Sequence, residues 1–174
     1  MPANTPQIRK AAIEDAPAIA RVHVTSWQKA YAHLFPSKYL EQISVWEKTE
    51  MWEKSIEQDV AHTLVARYNK QIIGFISIGP ERHINNSSSN LEVWAFYVLP
   101  EHWSTWVGQS LWKEAQKILV AQGTPKISLW VFDNNPRAKR FYEAAGCTPE
   151  LNSVQQFELD GVILEEIRYT QHLD

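Results

Sequence analysis

The order in which strands and helices follow one another is the feature that most constrains the fold of this chain. Apolar residues at period two predict strands, and apolar residues three and four apart predict helices. These patterns give one strand, two helices, three strands, a helix, a strand, a helix and two final strands. The first strand is QIRKAAI, the two helices are EDAPAIARVHVTSWQKAY and a stretch opening at SVWE, and the three strands are AHTLVARY, QIIGFISIG and LEVWAFYVL. The helix STWVGQSLWKEAQKILVAQG, the strand KISLWVF, the helix NPRAKRFYEAAG and the two strands within SVQQFELDGVILEEIRYTQH follow. This order predicts a single α/β domain over residues 1–174 with a mixed, largely antiparallel sheet flanked by helices.

Composition narrows the classes of function. The formal net charge is −3 and no run of Lys or Arg forms a basic stripe, so nucleic acid is not an expected partner. The single cysteine, Cys147, excludes an internal disulfide and indicates a reducing, cytoplasmic location. No signal peptide is indicated, and no apolar run approaches the roughly 20 residues that span a bilayer, so no membrane partner is expected. The histidines show no ligand spacing, so no metal site is expected.

The segment VLPEHWSTWVGQSLW, residues 98–112, joins the end of a strand to the start of a helix. The first turn of a helix offers backbone N–H groups and a positive dipole end, which suit a phosphate group. Ser104 or Thr105 is placed to cap this helix, and Gly108 is the one glycine of the joint. These residues by themselves leave two interpretations open, a pyrophosphate site and an ordinary capped turn from strand to helix.

A second segment, LWVFDNNPRAKRFYEAAG, places Asn135, Ala138, Tyr142 and Gly146 along and after a short helix. Together with LEVWAFYVLPEHW and VGQSLW upstream, it resembles the GCN5-related N-acetyltransferase (GNAT) family, and the resemblance covers nearly the whole chain. The resemblance implies a mixed sheet that splays between its fourth and fifth strands, with acetyl-CoA bound in the opening.

The resemblance also implies roles for individual residues. Backbone groups at the end of the fourth strand would pair with the pantetheine arm, at Phe96, Tyr97 and Val98. The pyrophosphate would lie on the loop and first helical turn, formed by Trp103, Ser104, Thr105, Trp106, Val107, Gly108, Gln109 and Ser110. Asn135 would contact the cofactor, and Tyr142 would protonate the departing thiolate.

The loop departs from the family pattern of Gln or Arg, two residues, Gly, one residue, and Gly or Ala. Trp103 holds the first position, Trp106 holds the first glycine position, and Ser104 stands where many members carry a further glycine. If residue 106 is left-handed, tryptophan costs roughly 1–3 kcal/mol there. An indole pointing into the cleft would exclude the pyrophosphate, whereas an indole in the core would leave the site open.

Other candidate residues keep two interpretations each. Glu92, at the start of the fourth strand, is either a general base in the way the family suggests or a solvated carboxylate. Tyr142 is either the general acid or a packed aromatic, and Asn135 is also suited to cap the helix before Pro136. Trp27 and Tyr31 lie where the family's first helices line the acceptor pocket, and an aromatic wall attracts an ammonium group, although both rings also suit the core.

Two functions follow from these residues. The first is acetyl-CoA-dependent transfer of an acetyl group to a primary amine of a small molecule or a protein. The alternative is a catalytically impaired ligand-binding or interaction module with an altered pyrophosphate loop. The sequence does not specify the acceptor, and a homodimer would account for any of the eight tryptophans that lie at the surface.

Overall fold

The computed structural model describes residues 5–82 and 90–173. The chain forms two compact units. The first unit consists of Met1–Gly79 and Trp94–Ile118, and the second consists of Pro80–Val93 and Leu119–Asp174.

The first unit contains an antiparallel sheet of β1 (Gln7–Lys10), β2 (His62–Tyr68) and β3 (Gln71–Pro80). The turn between β2 and β3 has φ of 46° at Asn69 and 66° at Lys70, which is the left-handed backbone that a two-residue hairpin turn requires at both central positions. The two strands predicted at AHTLVARY and QIIGFISIG are therefore joined as a β-hairpin.

Strand β4 (Leu91–Val98) contributes to both units, because its residues from Trp94 onward belong to the first unit. Immediately after the strand, the Leu99 N–H donates to the Ile73 carbonyl at 2.8 Å. The end of β4 is therefore fixed beside β3, which sets the direction of every main-chain group in this part of the strand.

Three helices follow β1 rather than the two that were predicted. They are α1 (Ala16–Ala30), α2 (Ser37–Glu41) and α3 (Val45–Glu57). The additional helix α2 has five residues, which is too short to show a helical period in the sequence. At the start of α3, where SVWE predicts the opening of a helix, the Ser44 hydroxyl accepts a hydrogen bond from the Glu47 N–H at 3.2 Å, so Ser44 caps the helix.

Buried side chains of α1, α3 and β3 form the core of the first unit, among them Ile19, Trp52 and Phe75. His23 of α1 accepts a hydrogen bond at Nδ1 from the Trp52 indole N–H at 3.2 Å and stacks on Tyr97, with ring centroids 4.8 Å apart. Burial lowers the pKa of His23 to about 4, so the imidazole is neutral at pH 7 and its remaining proton is on Nε2.

Helix α4 (Trp106–Ala121) shows the buried stripe that its sequence predicts, formed by Val107, Leu111, Ala115 and Leu119. A Cβ atom at Gly74 would lie 3.3 Å from Leu111 Cδ1 and 3.1 Å from Val98 Cγ2. The absence of a side chain at Gly74 therefore lets α4 pack closely on the sheet of the first unit.

The second unit contains β5 (Lys126–Phe132), α5 (Pro136–Ala144), β6 (Thr148–Pro149), β7 (Gln155–Leu159) and β8 (Val162–His172). β8 pairs antiparallel with β5, β6 and β7. Asp160 and Gly161, with φ of 49° and 77°, form the turn between β7 and β8, the two final strands that the sequence predicted. The two-residue strand β6 was not predicted because it is too short to alternate.

The beginning of β4 pairs in parallel with β5, and the register joins Leu91, Glu92 and Val93 to Ile127, Ser128 and Leu129. The described strands thus form a mixed and largely antiparallel sheet with flanking helices, which confirms the predicted fold class. In residues 5–82 and 90–173, no helix has both the length and the apolar character needed to cross a membrane.

Candidate active site

The loop between β4 and α4 is where the chain departs most from the family pattern. After a single 3₁₀ turn at Pro100–His102, Ser104 adopts a φ of 59°. A residue other than glycine with this left-handed backbone costs roughly 1–2 kcal/mol. Trp106 begins helix α4 and has an ordinary helical backbone. The left-handed backbone considered for Trp106 is therefore found at Ser104 instead.

The Trp106 side chain is 40% exposed to solvent. It is therefore not the core residue that one interpretation required, and its backbone does not distort the helix start. Of the two positions foreseen for the indole, the cleft and the core, this exposure excludes the core.

Trp103 holds the loop against the end of β4. Its indole N–H donates to the Val98 carbonyl at 2.7 Å, and the Ser26 hydroxyl of α1 donates to the same carbonyl at 2.9 Å. A carbonyl oxygen has two lone pairs, so both are occupied by side chains of this unit. The Val98 carbonyl is consequently not the group that would pair with a pantetheine arm. The Val98 N–H remains the candidate for this hydrogen bond.

The register of β4 separates the three residues that were predicted to bind pantetheine. Because the Leu99 N–H points to β3, alternation directs the backbone groups of Tyr97 to β3 as well and those of Phe96 and Val98 to the opposite edge. The prediction for the Tyr97 backbone conflicts with this register. Its side chain packs against the core of the first unit, where burial raises the pKa of the phenol.

The first turn of α4 carries the groups that suit a pyrophosphate. The Thr105 hydroxyl donates to the His102 carbonyl at 2.6 Å and is 3.5 Å from the Val107 N–H, at the limit of a hydrogen bond. A helix of 16 residues presents its first N–H groups at its positive end, here at Trp106, Val107 and Gly108. The residues present thus fit a dianionic ligand through the backbone, with Gln109 and Ser110 in the next positions.

Aromatic side chains of α1, α2 and the segment between them form a continuous cluster. The ring of Trp27 lies 4.7 Å from Tyr31, 5.1 Å from Phe35 and 6.2 Å from Tyr39, measured between centroids. Tyr31 and Phe35 are buried, whereas Trp27 and Tyr39 are partly exposed. The structure therefore brings the two predicted acceptor residues, Trp27 and Tyr31, into contact and adds two aromatic residues to them.

Glu92 is fully buried, at 0% exposure, and not a solvated carboxylate. Arg82 donates to it three times, through the backbone N–H to Oε2 at 3.1 Å, through Nε to Oε1 at 2.8 Å, and through Nη2 to Oε1. A buried carboxylate without such donors would be very unfavourable, so the hydrogen bonds from Arg82 compensate for the burial of Glu92. The solvated interpretation of Glu92 is wrong, because this side chain is buried against Arg82. The sequence alone does not show that the two side chains meet.

A second group of paired charges in the same unit was missed by the sequence analysis. Arg168 donates to Glu81 at 2.8 Å and to Glu150 at 2.6 Å, and Lys126 donates to Glu150 at 2.8 Å. Glu81 also accepts from the Ser128 hydroxyl at 3.0 Å. The hydrogen bond from Arg168 lowers the pKa of Glu150. The one available signal was period two along β5, which places Lys126 and Ser128 on one face.

Asn135 and Tyr142 lie on or next to α5, as their sequence context predicted. Asn135 caps the helix, because its Oδ1 accepts from the Ala138 N–H at 3.1 Å, and Pro136 follows at the first helical position. Tyr142 is buried at 8% exposure, with the Phe141 ring at an edge-on distance of 5.4 Å. The capping interpretation of Asn135 is thus confirmed, and its contact with the cofactor stays a prediction.

Gly146 ends this segment with a φ of 92°, and the Cys147 N–H then donates to the Tyr142 carbonyl at 2.9 Å. Cys147 is buried, and burial raises the pKa of its thiol to about 12. In the part of the chain that the structure describes, no group of three or more His, Cys, Asp or Glu side chains is arranged to hold a metal ion.

Comparison with known proteins supplies the family. Residues 24–147 match the acetyltransferase (GNAT) family. The chain is 31% identical over 161 residues to the uncharacterized N-acetyltransferase YuaI of Bacillus subtilis, covering 92% of this chain and 89% of that protein. It is also 26% identical over 148 residues to a spermidine N(1)-acetyltransferase of Thermoplasma acidophilum, covering 80% of this chain and 86% of that protein.

Among solved structures, the PaiA N-acetyltransferase of Thermoplasma acidophilum in complex with coenzyme A superimposes with a TM-score of 0.71 and 25% identity, covering 93% of this chain and 98% of that one. The chain belongs to the acetyltransferase (GNAT) family. It is an N-acetyltransferase, and acetyl-CoA is its acetyl donor.

Proposed function

We propose that this enzyme, acting as a single domain, transfers the acetyl group to a primary amine of a small polyamine rather than to a protein. The transfer is supported above all by the segment from Asn135 to Gly146, whose residues resemble the family pattern and which here forms a capped helix that carries Tyr142 and ends at a left-handed glycine. The impaired-module alternative rested on Trp106, Ser104 and the number of tryptophans. Trp106 has an unstrained helical backbone, and Ser104 is the residue of the loop with a left-handed φ.

Each candidate residue has a defined task in this proposal. Acetyl-CoA supplies an acetyl group activated as a thioester, and the backbone N–H groups of Trp106, Val107 and Gly108 bind its diphosphate. Asn135 contributes to holding the cofactor. When the amine nitrogen bonds to the acetyl carbon and the C–S bond breaks, the Tyr142 hydroxyl gives a proton to the sulfur.

Glu92 is the proposed acceptor of the proton that the attacking amine releases. Arg82 orients this carboxylate through three hydrogen bonds. We expect Glu92→Gln to lower kcat. An unchanged kcat in this variant would leave Glu92 with a structural role alone.

The aromatic cluster supports a cationic acceptor. Trp27 and Tyr39 are partly exposed, and an ammonium group over the face of an aromatic ring gains about 0.5–2 kcal/mol. A polyamine retains one or more ammonium groups after the reacting amine has lost its proton, so it can use such a surface during the reaction. The similarity to a spermidine N(1)-acetyltransferase points to the same acceptor class.

The test begins with calorimetric titration of the purified chain with acetyl-CoA. It continues with turnover assays on spermidine, spermine, free lysine and peptides with a free N-terminus. We expect micromolar binding of acetyl-CoA and turnover of the polyamines, with Trp106→Ala binding within about threefold of the unchanged chain because the backbone N–H is retained.

Each other outcome selects a different function. A chain that does not bind acetyl-CoA is the impaired module. Binding with turnover of peptides only would assign a protein acceptor. Turnover of polyamines that survives unchanged in Trp27→Leu would remove the aromatic cluster from acceptor binding.

A further inference from the structure

The Val98 carbonyl joins three segments of the first unit. Val98 is the last residue of β4, and its carbonyl accepts hydrogen bonds from Ser26 on α1 at 2.9 Å and from Trp103 in the loop at 2.7 Å. The loop residue next to Trp103 is Ser104, with its left-handed φ of 59°. Among the described residues of the loop, Ser104 has the one left-handed backbone, and its neighbour Trp103 donates the hydrogen bond from its indole to Val98.

Trp103 occupies the position at which the family pattern has Gln or Arg, but its side chain has different chemistry. An indole has a single N–H and no acceptor, and this N–H is directed to Val98. The side chain accordingly contributes to the geometry of the loop and not to a polar contact with a phosphate. Serine at position 104 makes such an anchor necessary, since serine does not favour the left-handed backbone as glycine does.

We propose that Trp103 and Ser26 are positioning residues for the coenzyme A site, which clamp the loop through the Val98 carbonyl and hold Ser104 left-handed. The clamp keeps the N–H groups at the start of α4 in the orientation that binds the diphosphate. This inference rests on the proposed function, since it assigns a task to residues of the same cofactor site.

The affinity for coenzyme A measures the clamp, because a loop that occupies the binding conformation only part of the time binds with proportionally lower apparent affinity. Trp103→Phe retains an aromatic ring and removes the N–H. We expect it to weaken coenzyme A binding about tenfold in calorimetry, which corresponds to one lost hydrogen bond. Ser26→Ala removes the second donor and is expected to weaken binding about threefold.

A second substitution tests whether strain at Ser104 is the reason. Glycine adopts positive φ freely, so adding Ser104→Gly to Trp103→Phe should restore the affinity to within about threefold of the unchanged chain. Ser104→Gly by itself should change it by less than about threefold. Trp46→Phe, at a tryptophan that is 68% exposed on α3, is the matched control and should bind as the unchanged chain does.

Two further readouts separate positioning from catalysis. In steady-state kinetics, Trp103→Phe should raise KM for acetyl-CoA while kcat at saturation stays within about twofold, because no proton donor is changed. In the protein without ligand, hydrogen exchange at residues 103–108 should become faster in Trp103→Phe and stay unchanged in Trp46→Phe.

The outcomes distinguish the clamp from the function on which it rests. If the unchanged chain binds no coenzyme A, the proposed function fails, and hydrogen exchange still tests the clamp. If the unchanged chain binds and Trp103→Phe binds equally well, the clamp is refuted. Weakened binding that Ser104→Gly does not restore also refutes it, because strain at Ser104 would then not be what the clamp opposes.

Discussion

The loop before α4 and the segment around α5 solve the same problem in different ways. Each must start a helix and orient groups for the cofactor reaction in the proposed function. Around α5, every local requirement is met by a suitable residue type, with Asn135 as cap, Pro136 at the first helical position and Gly146 at a φ of 92°. Before α4, the left-handed position is held by Ser104, and the cap bond of Thr105 measures 3.5 Å.

The difference shows that a local pattern and a distant hydrogen bond can each define a loop. The cap and the end of the α5 segment are formed by its own residues, Asn135 and Gly146, and side chains of β8 add hydrogen bonds from Tyr169 to Glu143 at 3.0 Å and from Gln171 to the Ala145 carbonyl at 2.9 Å. The loop before α4 depends on Val98, which also accepts from Ser26, 72 positions earlier in the chain. A sequence pattern therefore describes the first segment well and the second poorly.

The largest effect is expected from Tyr142→Phe. Loss of a general acid lowers catalysis by roughly 10²- to 10⁴-fold. We expect kcat to fall by about 10²-fold or more, while calorimetric affinity for acetyl-CoA stays within about twofold, because the loop before α4 is unchanged. Tyr169→Phe is the matched control, since its hydroxyl donates to Glu143 at 3.0 Å and has no role in the proposed chemistry. Equal kcat in the two variants would make Tyr142 a packing residue.

The next effect in size concerns Gly146→Ala. A side chain at φ of 92° is strained, and its Cβ would lie 2.9 Å from Gln171 Nε2. The end of the Gln171 side chain can move, so the backbone conformation dominates and we expect a loss of about 1–3 kcal/mol in the free energy of unfolding. Urea denaturation measures the loss. A change below about 0.5 kcal/mol would show that the α5 segment does not depend on its glycine.

The two helix caps give a smaller and directly matched contrast. Asn135→Ala removes a bond of 3.1 Å to the Ala138 N–H and should cost about 1 kcal/mol. Thr105→Ala removes a contact of 3.5 Å to the Val107 N–H and should cost about 0.5 kcal/mol through this cap. Asn135→Ser and Thr105→Ser retain a capping oxygen and serve as controls in the same urea titrations. A larger loss for Thr105→Ala would reverse the ranking of the two segments.

The sequence was sufficient for the order of elements because long amphipathic helices and alternating strands are determined by their own residues. The short elements α2 and β6 were missed, since five and two residues cannot show a period. Within the site, Asn135 was correctly recognised as a cap from the residues around it. The burial of Glu92 was not foreseen. It depends on a hydrogen-bonded contact with Arg82, and nothing in the sequence indicates that these two side chains meet.

The position of strain in the loop was only partly indicated by the sequence. The family pattern expects glycine at Trp106 and, in many members, at Ser104, and the left-handed backbone is at Ser104 and not at Trp106. Which residue absorbs the turn depends on where α4 begins. That start is set together with the hydrogen bond from Trp103 to Val98, which no local pattern describes.

The smallest expected effect is a gain in stability from Ser104→Gly. Relief of the left-handed backbone contributes about 1–2 kcal/mol, whereas the greater freedom of glycine in the unfolded chain opposes it by about 0.4–1 kcal/mol. The net gain in the free energy of unfolding should be about 0.5 kcal/mol by urea denaturation. The opposite signs expected for Ser104→Gly and Gly146→Ala are the sharpest form of the comparison. If Ser104→Gly destabilised the chain as Gly146→Ala does, Ser104 would suit its position, and the loop before α4 would be defined locally, as the α5 segment is.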